Sequence, residues 1–151
     1  MSADLMEYFN KSPRLGVLST SSKDGKVNSA VYGSPHMIDE KTVLVATAQN
    51  RTFANLMENP YASYIVIEEP AASTEPNPNI EPPTIMDWKG IRVYMKMKEF
   101  QTSGQLLEMI RSQIANFAGE EAAKIIYAAV TLEIYEVRPL VDFGQGWEKS
   151  I

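Results

Sequence analysis

Residues 91–98 (Ile-Arg-Val-Tyr-Met-Lys-Met-Lys) and 130–137 (Val-Thr-Leu-Glu-Ile-Tyr-Glu-Val) repeat their apolar positions every second residue. A period of two puts Val93, Met95 and Met97 on one face of an extended strand, whereas a helix would scatter them around its circumference. A chain built on such segments must form a sheet with a buried face. Other stretches obey the same rule. Residues 15–20 and 27–34 read as a pair of strands, with Asp24-Gly25 in the 21–26 turn supplying the positive backbone dihedrals of a hairpin. Residues 42–47 are apolar and β-branched enough for a buried strand, and 61–67 form another between Pro60 and Pro70. Short strands joined by hairpin signals, with few helices between them, point to a mainly β, α+β fold: an antiparallel barrel or sandwich with peripheral helices.

The helices are brief. Ser2 is placed to cap one that carries Leu5, Met6 and Phe9 on one face and ends at Ser12-Pro13. Residues 52–58 form a second, with Phe53, Leu56 and Met57 on its apolar side and Asn59-Pro60 as its stop. Ser103 is placed to cap a third carrying Leu106, Ile110, Ile114 and Phe117, which Gly119 ends, and residues 122–127 form a fourth. Residues 69–87 contain five of the nine prolines and little periodicity, so they form a loop, either a lid or interface arm or a plain surface excursion. With 151 residues, no repeat and no linker, the chain is one domain, and any cofactor site lies in its core or between subunits.

Charge and composition remove several function classes. A net charge of −5 without a basic patch argues against nucleic-acid and anionic-membrane partners, and Lys96 and Lys98 belong to the wet face of a strand. Without cysteine there is no disulfide, thiolate metal site or cysteine nucleophile. Nothing approaches a membrane-spanning run or a signal peptide, which makes the cytoplasm the expected location. His36 is the sole histidine, so histidine metal clusters and catalytic triads lack their parts. Gly144-Gln145-Gly146 reads as a turn, and Glu68-Glu69 and Glu120-Glu121 as solvated or helix-dipole carboxylates. Any chemistry therefore falls to a bound cofactor.

One segment has the outline of a phosphate site. Strand, polar turn and helix follow each other through Thr47, Asn50, Arg51 and Thr52, where a helix start offers free amides and Arg51 is the one cation placed beside it. On spacing alone the same residues describe an ordinary threonine-capped helix behind a surface arginine.

The order of these pieces resembles the pyridoxamine 5′-phosphate oxidase-related, FMN-binding split β-barrel family. The resemblance rests on Asp24-Gly25-Lys26-Val27-Asn28-Ser29-Ala30-Val31-Tyr32, then residues 43–47, then Asn50-Arg51-Thr52 with Asn55-Leu56 and Asn59-Pro60. It extends to Val137-Arg138-Pro139-Leu140-Val141-Asp142-Phe143 with Gln145-Gly146, and so covers most of residues 15–147. It implies FMN as cofactor, with Arg51 and Thr52 holding its phosphate and Asn50 among the cofactor-binding residues. It also implies that the backbone of Ala46, Thr47 and Ala48, with Ser29, Ala30 and Val31 on the paired strand, lines the isoalloxazine. It further implies a homodimer whose partner subunit closes the site through the segment of Lys124 and Tyr127 and through Trp147.

Departures narrow the function. The true oxidases carry basic residues on the second strand and a second cation after the phosphate-binding arginine, where this chain has Ala30, Pro35 and Thr52. Their substrate-binding segment beyond Gln-Gly is replaced by Trp147-Glu148-Lys149-Ser150-Ile151, so vitamin B6 oxidation is not expected. The readings left are a small FMN oxidoreductase or electron-transfer protein served by a nicotinamide or protein donor, a deazaflavin-dependent reductase, and a barrel that binds flavin or another ligand without turnover.

Overall fold

A computed structural model describes residues 3–11, 15–70, 79 and 81–151. The expected cap Ser2, the stop at Ser12-Pro13 and much of the proline-rich loop lie outside the described residues. The elements in chain order are α1 (Ala3–Phe9), β1 (Leu15–Ser21), β2 (Val27–Val31), β3 (His36–Met37), β4 (Thr42–Thr47), α2 (Arg51–Glu58), β5 (Tyr61–Glu68), β6 (Lys89–Gln101), α3 (Gln105–Ala118), α4 (Glu120–Lys124) and β7 (Ala128–Pro139). Among the described residues no helix is long and apolar enough to cross a membrane.

The seven strands form one antiparallel sheet in the order β2-β1-β5-β6-β7-β4-β3. Its two outermost strands, β2 and β3, are separated in sequence only by residues 32–35. Laid flat, six strand spacings of ~4.8 Å would put them ~29 Å apart, whereas five extended residue steps reach only about 18 Å. The sheet must therefore curl until its edges approach, which gives a split barrel. Two bulges help the long strands bend: the register between β6 and β7 shifts at Tyr94/Met95 and again at Met97/Glu99.

Tyr32 holds the seam. Its N–H donates to Gly16 O in β1 at 3.0 Å, and its carbonyl accepts from the Tyr64 hydroxyl of β5 at 2.6 Å. Tyr64 is buried and crosses the interior over Gly16, where a Cβ would overlap its hydroxyl and ring. On the other side, Ser34 Oγ bonds both the N–H and the carbonyl of Ala46 in β4, at 3.2 and 3.0 Å. One tyrosine and one serine thus replace ladder hydrogen bonds where the edges meet.

The interior is filled by inward residues such as Leu18, Val43, Val45, Val66, Val93, Met95, Val130 and Leu132, with Leu5 and Phe9 of α1 packed against them. The outer face of β4 and β7 is covered by α3 and α4, so Leu44, Ala46 and Ala129 pack on Leu107, Ile110 and Ile114. This double burial explains why residues 43–46 are apolar throughout instead of alternating.

Several expectations shift. The strand foreseen at 27–34 ends at Val31, because Tyr32 and Ser34 turn their groups to the seam. The hairpin loop lies within the foreseen 21–26 turn, closed by Ser22 N–H on Lys26 O at 3.0 Å, but only Gly25, and not Asp24, has a positive φ, 83°. The cap of α3 is Gly104, without a side-chain bond, and not Ser103. Its buried row is Leu107, Ile110 and Ile114, while Phe117 is exposed because burial stops before the last turn. The helix foreseen at 122–127 runs from 120 to 124. Arg111 clamps the Ile126 carbonyl at 2.8 and 3.2 Å and Thr47 O takes the Tyr127 N–H at 2.8 Å, so tertiary partners claim the backbone groups. In the described part of the proline-rich stretch, Thr84 and Asp87 form a capping box around a 3-10 turn.

After β7 the chain is clamped by Asp142, which accepts two bonds from Arg138 (2.7 and 2.8 Å) and one from Arg92 (3.0 Å). These arginines face each other on β7 and β6. The Arg138 hydrogen bonds and the Gly144 N–H hold the Asp142 carboxyl below the usual carboxylate range.

The seam yields a stability prediction. Gly16→Ala drives Tyr64 off its bond to Tyr32 and costs about 1–3 kcal/mol, and Tyr64→Phe costs roughly 1–2 kcal/mol by leaving a carbonyl unpaired. Urea unfolding of both single variants and the double variant should show costs well short of additive, because each breaks the same bond. Full additivity would mean that the Gly16 contact and the hydrogen bond act separately.

Candidate functional site

The end of β4 delivers Thr47 to the seam, and a two-residue turn leads to Asn50. Asn50 is extended (φ −134°, ψ −172°) and caps α2, its Oδ1 accepting the Phe53 N–H at 3.0 Å. Its Nδ2 donates to the Tyr32 hydroxyl at 2.9 Å, and that hydroxyl lies 2.9 Å from Thr47 Oγ1. The start of α2 is thereby tied to the residue that closes the barrel. The helix is anchored further down: Phe53 meets Phe100 and Tyr127 edge-on, at 5.6 and 5.4 Å, and buried Asn55 donates to Thr20 Oγ1 at 3.1 Å.

With Phe53 N–H and Ala54 N–H both directed to Asn50, the first-turn amides of Arg51 and Thr52 make no hydrogen bond among the described residues. The Arg51 guanidinium is exposed and has no hydrogen bond or ion pair among them either. Thr52 is only 2% exposed, and its hydroxyl also has no partner there. An unpartnered hydroxyl beside unpartnered amides and a guanidinium is a donor set that suits a phosphate.

Beside this helix start lies an open cleft of about 440 Å³, lined by Asn50, Arg51, Ala54, Asn55 and Glu58 of the α2 region and by Ser22, Asp24 and Lys26 of the β1–β2 hairpin. Arg51 is therefore not the only cation near the terminus, as sequence spacing alone had it. Lys26 arrives from a hairpin 25 positions upstream, visible in sequence only as the residue after Asp24-Gly25.

The other expected residues divide. Ala46 and Thr47 are buried and Ala48 half-buried at the end of β4. The strand carrying Ser29, Ala30 and Val31 pairs with β1, and not with β4; β2 and β4 approach only across the seam. On β2, Ala30 points inward with Leu18, while Ser29 and Val31 point outward, Ser29 Oγ bonding Ser19 Oγ at 2.8 Å. Lys124 is exposed and paired with Glu121 at 3.1 Å, Tyr127 packs on Phe53 of its own chain, and Trp147 lies against the barrel core. Sequence reasoning missed Tyr32 as the link between seam and helix. The signal lay in a tyrosine directly after an edge strand, within the run already singled out.

The fold is shared with solved structures of diverse description. An FMN-binding protein from Syntrophomonas wolfei subsp. wolfei is 22% identical, with 83% of this chain and 76% of that one covered and a TM-score of 0.66. HutZ, the heme storage protein of Vibrio cholerae, is 16% identical, with 97% of each chain covered and a TM-score of 0.63. An F420 reductase is 13% identical, with 87% of this chain and 94% of that one covered and a TM-score of 0.60. At these identities the likeness is one of fold alone. No curated protein matches the chain in sequence. The profile of the pyridoxamine 5′-phosphate oxidase family, however, matches residues 3–140, nearly the whole barrel with its seam and helix start, and the chain belongs to that family.

Proposed function

We propose that this chain is an FMN-binding flavoprotein that works as a small oxidoreductase or electron-transfer protein. The observation that carries the reading is the unpartnered set at the start of α2: the Arg51 guanidinium, the Thr52 hydroxyl and the two first-turn amides. Arg51 and Thr52 hold the phosphate, Asn50 keeps the helix start in register through Tyr32, and the seam between β2 and the end of β4 takes the ring. Bound flavin supplies hydride and electron transfer. The chain supplies orientation and, at the seam, the backbone of Ser29, Ala30 and Val31 and of Ala46, Thr47 and Ala48 for a flat ring to approach. Neutral Ala30, Pro35 and Thr52 in place of basic residues argue for a substrate other than a pyridoxamine phosphate.

Homodimerisation belongs to the same reading. Val27 and Val31 of edge strand β2 are 83% and 71% exposed, and the outer face beside them carries exposed Leu15, Tyr61 and Tyr135, with Tyr135 stacked edge-on against Tyr61 at 6.0 Å. An unpaired edge beside an apolar and tyrosine-rich face fits a second copy of the chain. This face supports the interface better than Tyr127 and Trp147, which pack within their own chain.

The first expectation is optical. Purified protein shows oxidised-flavin absorption or acquires it with FMN, and Arg51→Ala weakens FMN roughly ten- to a hundredfold while sparing riboflavin. A deazaflavin spectrum would replace FMN by that cofactor, and equal loss of both flavins would remove Arg51 from the phosphate. Turnover is tested by reduction: a nicotinamide donor or a partner reductase bleaches the bound flavin and an acceptor restores it. Tight FMN that no donor reduces would mark a binding protein instead of an enzyme. For the shared site, sedimentation across a dilution series should show FMN favouring the dimer and dilution releasing it. A monomer with undiminished FMN affinity would place the whole site in one barrel.

A further inference from the structure

The cleft beside α2 contains two cations and two carboxylates that ignore each other. Lys26, Arg51, Asp24 and Glu58 all line it, yet none of the four forms an ion pair among the described residues. The turn that carries Lys26 is well fixed. Lys26 N–H donates to Ser22 Oγ at 3.1 Å, Lys26 O accepts from Ser22 N–H at 3.0 Å, and Gly25 N–H donates to Ser22 O at 3.1 Å. Ser22 thus organises the backbone of Lys26 while itself lining the cleft, and only the lysine's own rotamers are left free.

A phosphate monoester carries close to two negative charges at neutral pH. Arg51 balances one, and Thr52 stands where a second cation would be convenient but adds none. The chain as a whole carries a net charge of −5, so its long-range field does not favour an anion and the attraction must be local. We propose that Lys26 is the second phosphate-binding cation of the flavin site, reaching from the β1–β2 hairpin across the cleft to the phosphate held by Arg51. This rests on the FMN reading above and adds to it a ligand from a different element. The phosphate bridges hairpin and helix, and Asp24 and Glu58 on the rim oppose it.

The test titrates the full-length protein with FMN and with riboflavin, for wild type, Lys26→Gln, Lys26→Arg, Glu58→Gln and Arg51→Ala. The side chains of Lys26 and Glu58 are exposed, and the turn is held by backbone atoms and Ser22, so these substitutions keep the fold. Lys26→Gln should lower FMN affinity about three- to tenfold and leave riboflavin unchanged. Lys26→Arg should restore the preference, and Glu58→Gln should raise FMN affinity without touching riboflavin. If Arg51→Ala loses FMN selectively while Lys26→Gln changes both flavins equally or neither, Lys26 is not a phosphate ligand and the FMN reading stands. If Arg51→Ala shows no selectivity, or neither flavin binds, the cofactor reading itself falls and takes this one with it.

Discussion

Everything in this molecule depends on joining the first and last strands of a seven-stranded sheet by four residues. A flat sheet would tear that connection, so curvature is a condition of chain continuity, and the seam is where the condition is met. Tyr32 does most of it: its backbone reaches β1 and β5 while its side chain reaches Thr47 and Asn50. The hydroxyl of Tyr64 can serve the Tyr32 carbonyl only because position 16 has no side chain to block it.

Closure also makes the site. The N-terminus of α2 is ordinary as a helix start, and what distinguishes it is where the seam places it. Asn50 is held from behind by Tyr32 and satisfies Phe53, while the first-turn donors of Arg51 and Thr52 make no hydrogen bond among the described residues. In the proposed reading, barrel stability and ligand binding share one tyrosine, and a lesion in the seam is expected to reach the proposed phosphate site through a single hydrogen bond.

Much of this could be read from local pattern. The period-two stretches at 91–98 and 130–137 are strands, the Asn59-Pro60 stop ends α2 as foreseen, and the uniformly apolar 43–46 is buried on both faces. Errors fall where tertiary partners compete with local preference: Arg111 and Thr47 take the backbone groups of Ile126 and Tyr127 that a longer α4 would have used. The resemblance to a flavin-binding family was likewise carried by the order of short motifs, which implies roles for Arg51 and Thr52 but assigns none to Lys26, although Lys26 lies within the first of them.

The sequence by itself determined which segments are extended and where α2 ends, because periodicity and proline stops act within a few residues of chain. Helix α2 starts at Arg51 under an Asn50 cap, and not at a threonine-capped residue 52 as foreseen. Only the tertiary structure decided which strands are neighbours, that β2 and β4 meet across a seam instead of pairing, and that Lys26 and Arg51 share one cleft. Those outcomes rest on bonds between residues far apart in the chain, such as Tyr32 with Tyr64 and Thr20 with Asn55. Each exists only once the whole sheet has curled, so no local pattern can encode it.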